Sequence, residues 1–470
     1  MQQDANWMVP IQVMLGSLNH GEVQACSISR VPDEVRAPND DAFKPKLVSI
    51  GPLHRVTTRH LQLMEEPKWR YMREFLDRRG SEKQNRSSEM RLKDCGSEIL
   101  KLVRVISASY GGIVDSESES ESQELAKIMI VDGCFLLELL IKLGNNMDTL
   151  GNQIFCYDPI LENEEKIVAV LNDIAMLENQ IPFIVLKKLY RKVFPDGSDI
   201  NNDHRVANLV RKALGYDEVD GSGGAHILHL MHLSTVQEDQ PQSNVNKQVR
   251  QELVRCATRL QAAGIIIQPA NNMPKHKLMD RFGFDINFKN SLLEIPVLHI
   301  KETTEVRWRN LIAWEQSKIW IKCKYTSYAM FFQGLICCKH DIELLEEKGV
   351  IVNESRKKKE ELLTLFRTIS KGAEHMDSSY SEICKSLNEY QGRKVRTKFQ
   401  ELPVVTWHKC RHVFEIILYY WGNWYRILIR DHIPTVWKFI GVVAAAVLLV
   451  VTCMQTYYSS RSSDSGSSKS

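Results

Sequence analysis

Three histidines stand at a repeated spacing in the string HILHLMH: His226, His229 and His232. Neutral imidazole is a common metal ligand. On a helix, positions three apart lie about 60° from one another, so three rings can crowd one edge and take an ion. No acidic or cysteine ligand lies nearby in sequence, and the competing expectation is a helix end with partly buried histidines. Cys337, Cys338 and His340 offer soft donors too. Adjacent cysteines do not readily chelate one ion together, so core packing is expected there.

Carboxylates offer a second kind of chemistry. Asp132 and Glu138 sit in the apolar run IMIVDGCFLLELLIKL, from Ile128 to Leu143. Buried carboxylates can be tuned into acids or bases. Six residues apart on a helix they point about 120° away from each other, so they do not form a pair on one face. Each is expected to bond a backbone group or an Arg across the core. Glu178, Asn179 and Gln180, before Pro182, most simply orient a helix start. Arg356-Lys357-Lys358-Lys359 is the one basic cluster, and Glu354, Glu360 and Glu361 surround it, as on a solvated helix face. Gly221 to Gly224 lacks the Lys-Ser/Thr ending of a phosphate loop. There is no GxSxG, HExxH, GxGxxG or kinase set. No catalytic residue and no cofactor is assigned.

The elements that must position these residues read as mainly helical. Leu61 to Arg79 has a helical apolar period, with a kink or restart at Pro67. Ile128 to Leu143 is apolar nearly all round and too charged for a membrane span, which predicts a buried core helix ended by Gly144 and Asn145. Leu171 to Tyr190 reads as two helices around a break at Pro182, and Val249 to Ala263 as a helix stopped by Gly264. Phe282, Phe284, Ile286 and Phe288 alternate with polar residues and predict a strand. Leu293 to Ile300 returns as a second strand, demoted to an edge by Pro296, and Ile265 to Gln268 adds a third. Helices are predicted over Val306 to Trp320, Thr326 to Cys338, Ile342 to Lys348 (N-cap Asp341), Glu354 to Ser370, and up to Arg430. Residues 1–27 read as a flexible extension, residues 28–430 as the helical domain, and 115–124 (DSESESESQE) as an acidic Ser-rich loop within it.

The chain has 470 residues, 43% hydrophobic and 25% charged, enough for a real core. A net charge of +3 argues against a nucleic-acid binder, which would carry a strong basic excess. Eleven cysteines at irregular spacing, with no CxxC, read as mostly buried reduced thiols. From Phe439 to Met454 the chain reads FIGVVAAAVLLVVTCM. Residues 437–458 are therefore expected to form one transmembrane helix through Phe439, Gly441, Leu448, Val451 and Met454. Trp437, Lys438, Tyr457 and Tyr458 would be its interface anchors, and 459–470 a Ser-rich tail. The lipid bilayer is then one partner and an unidentified protein another. With no basic, apolar leader at Met1 to His20, the large domain is expected in the cytosol, at the plasma membrane or an endomembrane.

Several segments together resemble the plant-specific domain of unknown function 247 family. They are RVP…EVR…N…AF.P..VSIGP in Ile28 to Arg55, ME..K..YM..FL in Leu63 to Leu76, IMIVDGCFLLELL in Ile128 to Leu140 and DIAMLENQIPFIVL in Asp173 to Leu186. Ala262 to Ile266 and IPVLHI…RNLIAWEQ in Ile295 to Gln316 continue the match. Where the family has His-His-Gly after the GP pair, this chain has Leu53-His54-Arg55, and Pro67 stands where a helix former is common. The resemblance implies a mainly helical, membrane-anchored plant protein with no established reaction. Some grass members are linked to pollen-side self-incompatibility, which implies recognition rather than catalysis for them.

The expectation is thus a large helical domain with one small antiparallel β-sheet and a single C-terminal transmembrane helix. Its function is interaction, recognition or signalling. The alternatives are an enzyme with an unrecognised, metal-assisted site, or an extracellular recognition module in reverse topology. The second would glycosylate Asn85 or Asn353.

Overall fold

The run at 128–143 forms the axis of the N-terminal half. The computed structural model describes residues 26–391, apart from 56–58, 79–86, 112, 115–117, 147–157, 196–197, 220–222, 237–250, 271–281, 319–320 and 356. Its helices begin with α1 (Asp33–Arg36), α2 (Arg59–Leu63), α3 (Glu65–Asp77), α4 (Ser88–Ser109) and α5 (Glu119–Asn146). They continue with α6 (Glu164–Asp173), α7 (Phe183–Val193), α8 (Asp199–Ala213), α9 (Ile227–Leu233) and α10 (Ala257–Ala262). Helix α5 packs against α3, α4, α7 and α8, so an all-round apolar surface is what its position demands. Gly133 lets α7 come close, because a Cβ there would lie 2.5 Å from Leu189 Cδ1. Pro67 falls in the first turn of α3, where its missing N–H breaks no helix bond.

The second half holds β1 (Ile266–Ala270), β2 (Asn287–Lys289), β3 (Leu292–Pro296), β4 (Leu298–Ile300) and β5 (Ile351–Asn353). Around them lie α11 (Thr304–Gln316), α12 (Lys324–Leu335), α13 (Lys339–Glu347), α14 (Lys359–Thr368) and α15 (Ser381–Glu389). Trp308 and Trp314 of α11 are fully buried. Phe282 packs edge-on against Trp308 and Tyr325 at 5.2 Å, and Tyr328 meets Phe332 at 4.8 Å, an aromatic core between loop and helices.

Several expectations are corrected. The expected transmembrane helix is not found: no helix among the described residues is long and apolar enough to cross a membrane. The longest of them, α5, fails because Glu119, Glu121, Glu124, Asp132, Glu138 and Lys142 interrupt its apolar surface. The positions expected to span or anchor, Trp437, Lys438, Phe439, Gly441, Leu448, Val451, Met454, Tyr457 and Tyr458, lie outside the described residues.

The single antiparallel sheet is replaced by two sheets, one mixed and one parallel. In the first, the order is β1-β3-β2, with β1 parallel and β2 antiparallel to β3. In the second, β4 pairs in parallel with β5. Pro296 therefore ends a central strand instead of marking an edge. The chain changes sheets after the single intervening Val297, so a proline at the end of the ladder is tolerated. Phe282 and Phe284 lie outside β2 because their rings fill the aromatic core. Residues 119–124 open α5 with acidic side chains in its first turn, where the helix dipole favours negative charge.

Candidate functional site

The Pro-rich segment 28–55 has no regular partner strand, yet five of its backbone donors, those of Val31, Lys46, Leu47, Val48 and Ile50, are satisfied by side chains of the DIAMLENQIP string. Asp173, fully buried, accepts Lys46, Leu47 and Val48 N–H at 2.9, 2.7 and 2.8 Å. Asn179 Oδ1 accepts Ile50 N–H at 2.7 Å, and its Nδ2 donates to Val48 O at 3.0 Å. Gly51 has φ +73, and a Cβ there would lie 2.7 Å from Gln180 O. A polar loop thus does the work of a β-ladder, because buried N–H groups need acceptors. Gln180 also ties inward: its Nε2 donates to Ile174 O and Met176 O, and Oε1 accepts Leu228 N–H.

The fourth member of this clamp, Glu178, opens onto a cleft of about 640 Å³. Arg30, Val31, Pro32, Asp33, Arg36, Lys44, Pro45 and His54 line the rest of it. Glu178 Oε1 accepts Val31 N–H at 2.7 Å and an Arg36 N–H, and Oε2 lies 3.1 Å from His54 Nε2. Burial pushes this carboxyl up, but the contacts to His54, Val31 and Arg36 outweigh it and hold it below the usual range. Arg36 also donates to Asp40 at 3.0 Å and lies over the Phe43 ring at 5.6 Å. Lys44 pairs with Asp40. Burial works against the Arg36 charge, yet Asp40 and Glu178 raise its pKa. Arg30, Pro32, Asp33 and Lys44 are exposed at the rim. The lining therefore joins a fixed ionic floor to an exposed rim of mixed charge, with apolar surface from Val31 and the two prolines.

The three predicted histidines go elsewhere. His226 is the N-cap of α9 and its Nδ1 accepts His229 N–H at 3.2 Å. His229 Nδ1 accepts Ala225 N–H at 3.0 Å, and His232 Nε2 lies 3.0 Å from Glu315 Oε1. The His226 and His229 rings pack on Trp314 at 4.6 and 4.9 Å. Burial pushes His226 well below its ordinary value and His229 down to about 3. Each ring has its own task, so the three do not converge on one point.

Asp132 and Glu138 do as expected. Asp132 accepts Lys68 Nζ and Gly51 N–H, both at 2.8 Å, while Arg78 forks onto Glu138. In the basic cluster, Lys357 pairs with Glu305, and Lys359 with Glu343 and Glu346. Cys337 and Cys338 are exposed instead of packed in the core, because they lie on the turn between α12 and α13. Asp341 is the third residue of α13, whose N-cap is Cys338.

Sequence reasoning missed the cleft. Its only local signal was RVPDEVR, with cations spaced around a proline, and the carboxylate that organises it lies 142 residues away from Arg36.

The model of the family described as "Plant protein of unknown function", DUF247, matches residues 28–451. The chain belongs to this family. Among curated proteins it is similar to the UPF0481 protein At3g47200 of Arabidopsis thaliana, at 28% identity over 78% of this chain and 77% of that one. It is also similar to the putative UPF0481 protein At3g02645 of Arabidopsis thaliana, at 21% identity over 97% of this chain and 94% of that one. No solved structure matches it significantly. In this DUF247 chain, two of the strings that carry the resemblance, VSIGP and DIAMLENQIP, bind each other.

Proposed function

We propose that this DUF247 protein is a recognition component that docks a segment of another polypeptide in the cleft floored by Glu178. The supporting observation is preorganisation. Val31 N–H, Arg36 and His54 hold the floor, so a ligand meets fixed walls while Arg30 and Lys44 remain at the rim. Prolines and a mixed-charge rim suit a peptide carrying an acidic side chain better than a small free anion. The metal-assisted alternative has no support from His226, His229 and His232, whose ring atoms serve separate neighbours.

The test is site-specific photo-crosslinking in plant cells from Asp33, at the rim, and from Leu63, which is exposed on α2. A reproducible neighbour captured from Asp33 alone, and lost with Arg30→Glu, is expected. The same neighbours from both positions, unchanged by Arg30→Glu, would refute the docking site.

We also propose that the domain faces a reducing compartment. The eight described cysteines are free, and five of them, Cys95 and Cys134 among them, are buried away from solvent. Maleimide labelling of protein quenched in acid should find these thiols reduced; extensive disulfides would oppose the reading.

A further inference from the structure

The exposed cysteines lead to a second place. Helix α10 begins at its N-cap, Cys256, and α13 begins after Cys337 and Cys338. Asp341 ties the two starts together. Its Oδ1 accepts Thr258 N–H at 2.9 Å, and its Oδ2 accepts Cys337 and Cys338 N–H at 2.9 and 3.0 Å. The result brings two thiols 81 positions apart onto one carboxylate. Cys256 Sγ, Cys337 Sγ and an Asp341 oxygen all lie within 4.8 Å of one another. Cys256 and Asp341 are buried, whereas Cys337 is exposed and gives solvent a way in. With zinc–sulfur bonds of about 2.3 Å, tetrahedral thiolates sit about 3.8 Å apart, so small side-chain rotations close this set on an ion.

We propose that Cys256, Cys337 and Asp341 form a zinc(II) site with solvent in the fourth position. Thiolate and carboxylate donors fit zinc, and an open fourth position follows from the exposure of Cys337. Binding displaces one proton from each thiol to solvent and leaves the ion joined to both sulfurs. It joins the start of α10 to the α12–α13 turn, whose N–H groups Asp341 already bridges by hydrogen bonds. Because both thiols must shed a proton to bind, uptake should strengthen as pH rises. Cys338 Sγ, 3.4 Å from Asp341 Oδ2, bonds the carboxylate from the side and is not a ligand in this arrangement.

The test uses the full chain, reduced and stripped of metal, titrated with cobalt(II) and then zinc(II). One equivalent of cobalt should give a thiolate-to-metal absorption that zinc abolishes. Cys256→Ser and Cys337→Ser should each weaken zinc binding by at least about 100-fold, more than the 10–100-fold typical of an outer-shell loss. Cys338→Ser should bind as the parent does, and circular dichroism of each variant establishes that it is folded. The proposal is overturned by absence of the band, by a band that both ligand variants retain, or by one that only Cys338→Ser removes. A Cys256–Cys337 disulfide in protein taken from cells would overturn it as well.

Discussion

Two histidine–carboxylate pairs of nearly equal length serve different ends. His54 Nε2 lies 3.1 Å from Glu178, and His232 Nε2 lies 3.0 Å from Glu315. Glu315 is fully enclosed and also accepts Tyr325 N–H, Thr326 N–H and the Thr326 hydroxyl, at 2.9, 2.8 and 2.7 Å. Every donor around it belongs to the same protein core, so the pair fastens α9 and α11 to α12. Glu178 shares its oxygens with the half-buried Arg36 at the edge of a cleft, and His54 is 15% exposed. Burial and the remaining partners, more than the pair itself, decide whether such a contact builds or receives.

The comparison breaks most readily at Glu315. Glu315→Ala strands two buried N–H groups and a hydroxyl, and should cost on the order of 3–5 kcal/mol. Urea unfolding of the purified variant checks this; a loss under about 1 kcal/mol would mean that the core pair is not structural.

Acid should strike the same region next. His226 and His229 are held below their ordinary value of 6.5, His229 at about 3. Below pH 6.5 the unfolded chain takes protons that the folded state refuses. Their contribution is therefore full above pH 6.5 and falls as pH drops toward 3. At about 1.4 kcal/mol per pH unit, His229 alone removes about 2 kcal/mol between pH 7 and pH 5. His229→Gln should flatten the urea midpoint over that range relative to the parent. An unchanged slope would contradict the neutral, buried assignment.

Glu178→Gln is the counterpart at the cleft. The amide oxygen can still accept Val31 N–H, while Arg36 and His54 lose a charged partner. We expect a loss of about 1–2 kcal/mol, smaller than for Glu315→Ala because Arg36 and His54 both keep some solvent. A loss as large as that of Glu315→Ala would erase the distinction between the two regions.

What could be read from the chain follows the range of the interactions. Helix α5 was legible because an all-round apolar period reports burial directly, and Pro182 because its effect is local. Asp132 and Glu138 were legible as core carboxylates because a buried charge must find a donor. The clamp was read only as a helix start. Asp173, Glu178 and Asn179 reach backbone 125–147 residues away, and no local pattern announces a side chain that replaces a strand. The second sheet is hidden for a similar reason: β4 pairs with β5 across three intervening helices. The Cys256–Cys337 meeting is hidden likewise, since the two thiols lie 81 positions apart and the apolar run around Cys337 predicts core packing there.

The finest cut separates stability from recognition at one residue. Arg30 lines the cleft yet is exposed, so Arg30→Glu should change unfolding stability by no more than about 0.5 kcal/mol. Reversing a rim charge should nevertheless abolish the neighbour captured from Asp33, because like charges would then face an acidic segment. Glu178→Gln should weaken capture and stability together, since it loosens the floor. If Arg30→Glu destabilises the fold instead, the rim is part of the scaffold. If neither property changes, the acidic segment does not use this side of the cleft, and Lys44→Glu becomes the variant that decides whether the other rim reads it.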